Sequence, residues 1–270
     1  MINTSQPIGV FDSGLGGLTV LKALQQKLPN EQFIYYGDTA HLPYGDKSEE
    51  ALKSYVLAIM MFLKEKQCKL VVVACNSAAT VISKIPELPF PKENIIEVIS
   101  PIVDLIATQT KYAHIGVIGT RKTIGSGMFN DALTARNHSL DIVARATPLL
   151  VPLIEEGFVD ENILYPVFDR YFDGFEKCKL IIPACTHYPM LYKQIEAYFQ
   201  HSLKVLHTPK IVAEYAEKRL MALGLRNTSI GSVTQDIYHL SDVTDDFVRS
   251  AAFFLEKEVA FQRTPLPLIH

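Results

Sequence analysis

The sequence of 270 residues contains no tryptophan, only four cysteines and no surplus of basic residues. Lysine and arginine together number 26 against 29 aspartates and glutamates, so the formal net charge is −3 at pH 7. A protein that binds nucleic acid needs excess positive charge to neutralise phosphates, so nucleic acid is not expected as the main partner. Apolar stretches such as residues 71–75 are far shorter than the roughly 20 residues that span a bilayer. Membrane insertion is therefore not expected either.

The first residues show no basic segment followed by an apolar one, which is the pattern of a secretory signal. The sequence therefore predicts a cytoplasmic protein. Because cytoplasmic thiols are kept reduced, we expect Cys68, Cys75, Cys178 and Cys185 to be free thiols. Zinc sites favour cysteines two to four residues apart, and the cysteines here are separated by at least seven. No metal site is predicted.

The chain contains an internal repeat. Residues 68–75 (CKLVVVAC) recur 110 residues later as residues 178–185 (CKLIIPAC), with five of the eight positions identical. A second pair, residues 9–13 (GVFDS) and 116–120 (GVIGT), is separated by 107 residues. Two pairs of repeated segments in the same order predict two related halves, not a solenoid of many copies. With 48% hydrophobic residues, the chain has enough apolar side chains for both cores.

Short apolar segments alternate with segments of helical spacing, such as the leucines between Leu18 and Leu28. This alternation predicts an α/β fold: two similar α/β domains with mainly parallel sheets, related by pseudo-two-fold symmetry. Further helical stripes lie within residues 52–63 and 212–223. The predicted strands are residues 8–11, 33–36, 70–74, 95–99, 115–118, 180–182, 204–207 and 236–240.

Two proline-containing segments mark the predicted domain boundaries. One lies around residues 86–94 and the other at residues 207–209. The segment after residue 208 still has strand and helix patterns, so we expect it to complete the first sheet. The predicted first domain is therefore discontinuous, with residues 1–95 plus 208–270, and the second domain comprises residues 96–207. Residues 263–270 are expected to form a tail.

In parallel α/β sheets ligands bind where the carboxyl ends of the strands lead into the helices. Residues 12–17 (DSGLGG) follow the first predicted strand, and their backbone N–H groups could approach an anion. A tight turn in which Asp12 or Ser13 caps the helix explains the same residues. Residues 37–45 and 119–123 carry Thr, His, Tyr and Asp side chains that suit either a polar ligand or a surface turn.

Cys75 and Cys185 end the two duplicated strands. A nearby helix N-terminus lowers the pKa of a thiol, and His187 could exchange a proton with Cys185. A single cysteine in such a place usually serves packing alone, but two at corresponding places favour a function. By contrast, Cys68 and Cys178 lie at the beginning of these strands, at the opposite edge of each sheet, and are expected to pack.

Two thiols on opposite faces of one tetrahedral carbon can invert it, since one removes a proton and the other delivers one. The weakly acidic α-proton of an amino acid would be a suitable target if nearby donors stabilise the carbanion. The backbone of the glycine-rich loop and the hydroxyls of Ser13, Ser77 and Thr186 could act as these donors.

Five segments together resemble the bacterial glutamate racemases of the aspartate/glutamate racemase family: 9–17 (GVFDSGLGG), 37–40 (GDTA), 43–45 (PYG), 74–76 (ACN) and 185–189 (CTHYP). The resemblance implies an enzyme that interconverts L- and D-glutamate without a cofactor and supplies D-glutamate for peptidoglycan. It implies an active site between two α/β domains and glutamate as a small-molecule partner. A homodimer is left open.

By the same resemblance, Cys75 and Cys185 are the two proton donor/acceptors, Asp12 assists Cys75, and His187 assists Cys185. Glu155 resembles a further active-site carboxylate of the family, although the adjacent Glu156 could be that residue instead. The resemblance implies these substrate-binding residues: Ser13, Pro43, Tyr44, Gly45, Asn76, Ser77, Thr120, Thr123 and Thr186.

Three alternatives remain at this level. The first is a racemase of aspartate or a related acid, because a sequence does not measure a pocket to within one methylene. The second is a non-catalytic binding or regulatory protein on the same scaffold, which would be expected to lack one of the thiols. The third is a redox protein that joins Cys75 and Cys185 in a disulfide.

Overall fold

The computed structural model describes residues 2–109, 111–229 and 235–267, which form ten strands and eleven α-helices. The strands are β1 (Ile8–Asp12), β2 (Phe33–Gly37), β3 (Leu70–Val73), β4 (Ile95–Glu97), β5 (His114–Gly119), β6 (Asp141–Ala146), β7 (Leu180–Ala184), β8 (Lys204–Val205), β9 (Ile237–Leu240) and β10 (Phe261–Arg263). The helices are α1 (Gly17–Lys27), α2 (Glu49–Glu65), α3 (Asn76–Ile82), α4 (Ile99–Gln109), α5 (Arg121–Gly125), α6 (Met128–Arg136), α7 (Leu150–Glu155), α8 (Glu161–Tyr171), α9 (Tyr192–Tyr198), α10 (Thr208–Ala222) and α11 (Asp245–Leu255).

The described strands form two sheets in which every pair is parallel. The larger sheet has the order β10-β9-β2-β1-β3-β4, and the smaller has the order β6-β5-β7-β8. The order β2-β1-β3-β4 is thus repeated by β6-β5-β7-β8. The repeated sequence segments fall at corresponding strands, one pair at β3 and β7 and the other at β1 and β5. The predicted fold class of two similar, mainly parallel α/β units is confirmed.

The central strands are apolar throughout because helices cover both faces of each sheet. All residues of β1, β2, β3 and β7 are buried. Phe11 and Val71 pack with the apolar side of α2 on one face of the larger sheet. On the other face, Val10 and Leu21 belong to a core that continues into the smaller sheet. The strand ends that face the smaller unit are therefore held by a continuous core.

Some local predictions were wrong: β6 was not predicted, and the predicted strand 204–207 ends at Val205. The predicted strand 95–99 ends at Glu97, and Ile99 already begins α4. The Glu97 carboxylate accepts hydrogen bonds from the backbone N–H groups of Ile99 and Ser100, at 2.6 and 2.8 Å, which fixes the start of that helix. Arg263, assigned to the tail, is the last residue of β10, and residues 268–270 of that tail lie outside the described residues.

The strands of the C-terminal segment, β9 and β10, pair within the larger sheet. The predicted limit between residues 95 and 96 falls inside β4, which also pairs in the larger sheet. The domain limits themselves stay a prediction. Across the described residues, no helix is both long enough and apolar enough to cross a membrane.

Candidate active site

A cavity of about 300 Å³ lies at the carboxyl ends of the central strands, with walls from both α/β units. This volume suits a small-molecule ligand. Twelve of the fourteen predicted site residues line it, namely Ser13, Pro43, Tyr44, Gly45, Cys75, Asn76, Ser77, Thr120, Glu155, Cys185, Thr186 and His187. Cys75 and Cys185, which come from corresponding places in the two units, thus face the same space.

Cys75 is the N-cap residue of α3 and is 5% exposed. Its thiol donates a hydrogen bond to Ser13 Oγ, with 3.9 Å between the two atoms. Burial raises the pKa of the Cys75 thiol to about 12, and the negative charge of Asp12 adds to this effect. The backbone N–H of Ala78 and the Ser13 hydroxyl oppose it only in part. Cys75 is therefore a protonated thiol at neutral pH.

Asp12 is the last residue of β1 and is fully buried, but it does not line the cavity. Its Oδ1 accepts a hydrogen bond from the Gly14 backbone N–H at 2.8 Å, and its Oδ2 accepts one from Thr186 Oγ1 at 3.2 Å. Burial raises the pKa of Asp12, while the charge of His187 and the two backbone donors Gly14 and Gly17 lower it. Asp12 thus acts on Cys75 through its charge and links the two units through Thr186.

The other thiol lies beside an imidazole. Nδ1 of His187 is 3.9 Å from Cys185 Sγ, and Nε2 of His187 is 2.8 Å from Glu155 Oε1. Burial alone would lower the pKa of His187, but its hydrogen bonds to Cys185 and Glu155, and their charges, raise it to about 10. His187 is then an imidazolium at neutral pH, and it lies directly beside the Cys185 thiol. Of the two adjacent glutamates, Glu155 contacts His187.

The pairing of His187 makes a stability prediction. The pKa of His187 in the folded protein, about 10, exceeds the ordinary histidine value of 6.5. Protonated His187 therefore contributes fully to the free energy of unfolding below about pH 6.5, and this contribution disappears as the pH rises through about 10. We expect His187→Asn to lose more unfolding free energy, relative to the unsubstituted protein, at pH 6.5 than at pH 10. Urea unfolding of both proteins at the two pH values measures the difference, and an equal loss at both would contradict the pairing.

On the side of the larger sheet, hydrogen bonds to Asp38 fix the loop that contains Pro43, Tyr44 and Gly45. The Tyr44 hydroxyl donates a hydrogen bond to Asp38 Oδ2 at 2.5 Å, and Asp38 is also 2.8 Å from the Nδ1 atom of His41. Tyr44 is itself buried. The cavity wall in this region is therefore preorganised by a buried carboxylate.

The two units also meet through hydroxyls, since Ser77 Oγ lies 2.9 Å from Thr120 Oγ1. Asn76 is buried, and its Oδ1 has no hydrogen-bond partner among the described residues although Asn76 lines the cavity. A buried acceptor without a partner is costly, and a ligand N–H would satisfy it. Thr123, in contrast, lies behind Thr120: its hydroxyl accepts a hydrogen bond from Thr120 Oγ1 at 3.0 Å, and it does not line the cavity.

Several wall residues were not predicted from the sequence. Asp46 and Arg121 directly follow predicted site residues, so their position in the chain was the available signal. Tyr188 lies within the motif 185–189, where its hydroxyl is 2.6 Å from Thr147 Oγ1. The remaining unpredicted wall residues are Leu42, Thr147, Pro148, Val151 and Pro152.

A cavity with one thiol from each of two duplicated α/β units is suited to moving a proton on and off a stereocentre, which is the chemistry of an isomerase. The chain belongs to the Asp/Glu/hydantoin racemase family, whose sequence pattern matches residues 8–216. The family resemblance seen in the motifs is thereby confirmed, and the protein is an isomerase.

Individual relatives cover almost the whole chain. The glutamate racemase of Chlorobaculum parvum is 36% identical over 260 residues, which are 96% of this chain and 95% of that protein. A crystal structure of glutamate racemase from Francisella tularensis in complex with D-glutamate is 29% identical, with a TM-score of 0.87 over 96% of this chain and 97% of that chain. A glutamate racemase isoform from Bacillus anthracis, also 29% identical, gives a TM-score of 0.90 over 99% of this chain and 100% of that chain.

Proposed function

We propose that this protein is a glutamate racemase that interconverts L- and D-glutamate by passing the α-proton between two thiols, without a cofactor. The observation that carries the proposal is that Cys75 and Cys185 line one cavity of about 300 Å³ from opposite units. The choice of glutamate is supported by relatives named glutamate racemase and by the structure that contains D-glutamate. Following the resemblance, its place is the cytoplasm, where D-glutamate would be supplied for peptidoglycan.

The two thiols have different neighbours. The imidazolium of His187 lies beside Cys185, which takes the role of the base in one direction, whereas Cys75 holds a proton it can donate. In one direction the α-proton moves to Cys185 Sγ, and the proton of Cys75 moves to the opposite face of the carbon. The thiols then have exchanged their protonation states, and the reverse reaction uses them in the opposite roles.

For the reverse direction the thiolate must form at Cys75, although burial and Asp12 oppose it. A substrate ammonium bound nearby would supply positive charge that favours this thiolate. The Oδ1 atom of Asn76 is an acceptor for that ammonium, since it has no partner among the described residues. Ser77 and Thr186 also line the cavity, and their hydroxyls could donate to the substrate carboxylate, where negative charge develops, by turning away from their present partners Thr120 and Asp12.

The test is to incubate the purified protein with D-glutamate and no added cofactor while following circular dichroism. We expect the signal to decay to zero, because racemisation ends at equal amounts of the two enantiomers. In heavy water the product enantiomer should carry deuterium at Cα, since both thiols exchange with solvent. Aspartate is tested in parallel.

Each outcome distinguishes a different part of the proposal. Activity on aspartate alone would contradict glutamate as the substrate while leaving the racemase assignment intact. Unlabelled product would contradict transfer through two solvent-exchanging thiols and would favour a single shielded base. A stable signal with both amino acids would contradict the proposed function.

A further inference from the structure

The entrance of the cavity carries an ion pair that the proposed proton transfer does not use. Arg121, the first residue of α5, and Asp46 both line the cavity but belong to different units. The Nη1 atom of Arg121 is 3.4 Å from Asp46 Oδ1, and the two side chains are 63% and 57% exposed. Gly45 and Thr120 bring the two loops into contact beside this pair, since a Cβ at Gly45 would lie 2.9 Å from Thr120 Cβ.

The charges around the cavity make this arginine unusual. Among the described residues that line it, Arg121 and His187 carry the basic groups, and His187 is already engaged by Glu155 and Cys185. Carboxylates lie close by at Asp46 and Glu155 in the wall and at Asp12 behind it. An acidic amino acid, with two carboxylates and one ammonium, would meet mainly negative charge there if Arg121 were absent.

The pair itself is weakly held. A single contact at 3.4 Å between two exposed side chains is screened by solvent and is easily exchanged for another partner. Arg121 is therefore available to an incoming carboxylate, and Asp46 competes with that carboxylate for the same guanidinium. An acidic amino acid can make this contact through its side-chain carboxylate, and a neutral amino acid cannot. The contact would therefore distinguish the two.

Building on the proposed function, we propose that Arg121 selects acidic amino acids at the cavity entrance and that Asp46 is its internal competitor. The two residues act on binding and not on proton transfer, because their charged groups pair with each other at the entrance and not with either thiol. Removing Arg121 should then weaken binding, whereas removing the charge of Asp46 should strengthen it. A pair that served only to clamp the two units together would respond in the same direction to either substitution.

The test compares steady-state kinetics of Arg121→Gln and Asp46→Asn with the unsubstituted protein at low ionic strength. We expect Arg121→Gln to raise KM for glutamate about tenfold and Asp46→Asn to lower it about two- to threefold, with kcat within about twofold in both. Both effects should shrink in about 0.5 M NaCl, where charges separated by more than a few ångström are screened. Calorimetric binding of glutarate, a dicarboxylate without the ammonium, should show the same opposite signs without turnover.

The exposed pair Arg136–Asp104, with 2.7 Å between Nη1 and Oδ1, is a matched control because neither residue lines the cavity. Arg136→Gln and Asp104→Asn make the same charge changes and should leave KM unchanged. An unchanged KM and glutarate affinity in Arg121→Gln, or weaker binding in Asp46→Asn, would overturn the inference while racemisation by the unsubstituted protein still stood. Absence of that racemisation would instead count against the proposed function, and the glutarate titration would still decide the role of Arg121.

Discussion

Replacing either Cys75 or Cys185 by serine is expected to lower racemisation at least about 10³-fold in both directions, with the fold retained. General acid–base groups contribute about 10²- to 10⁴-fold each, and a serine hydroxyl is too weakly acidic to replace a thiolate. Both directions are affected because, in the proposed scheme, each thiol is the base for one enantiomer and the acid for the other. Initial rates by circular dichroism from D- and L-glutamate measure the loss, and thermal unfolding monitors the fold.

The chain supplies two matched controls for these variants. Cys68 and Cys178 are also buried, but each lies two residues before its strand, at the end opposite to the cavity. Burial raises the pKa of Cys68 to about 12 and that of Cys178 to about 11, much as it does for Cys75, so the controls differ from the proposed catalytic thiols by lying outside the cavity wall. Cys68→Ala and Cys178→Ala should keep kcat near that of the unsubstituted protein. Substantial turnover by Cys75→Ser or Cys185→Ser would refute the two-thiol scheme.

The central strands could be predicted because their sequences are apolar at nearly every position. Strands β1, β2, β3 and β7 were all predicted near their observed limits, since helices on both faces leave few polar positions. Strands β6 and β10 were missed because they are not buried on both faces, so polar residues interrupt their sequences. Both are edge strands of their sheets, and residues such as Asp141 and Gln262 are exposed, so no continuous apolar segment signals them.

The candidate site was partly predictable because motifs at strand ends must converge in a parallel sheet. The arrangement between the units was not, since it depends on how two sheets pack. The sequence does not show that Thr123 lies behind Thr120, or that Glu155 and not Glu156 reaches His187. Pro148 and Pro152 line the cavity after β6. They were missed because β6, an edge strand, was itself not predicted.

Gly16→Ala is expected to reduce kcat/KM at least about 100-fold and to destabilise the fold by about 1–3 kcal/mol. The cause is steric, since Gly16 has an ordinary helical φ of −57° that alanine adopts freely. A Cβ there would lie 2.2 Å from Thr186 Oγ1 and 2.5 Å from His187 Nδ1. If the two side chains move, His187 loses its position beside Cys185, and if α1 moves, the preceding loop with Ser13 shifts in the cavity wall. Kinetics with glutamate and urea unfolding measure the two effects.

A glycine elsewhere separates this contact from the general effect of adding a methyl group. A Cβ at Gly125, in α5, would meet no atom within 4 Å, and this glycine needs no positive φ, so Gly125→Ala should leave both activity and stability at or above their starting values. If Gly16→Ala were as active as Gly125→Ala, the loop at Gly16 would not fix His187 and Thr186. The close approach of that loop to the second unit would then be packing alone, and the position of the imidazolium would have to depend on Glu155.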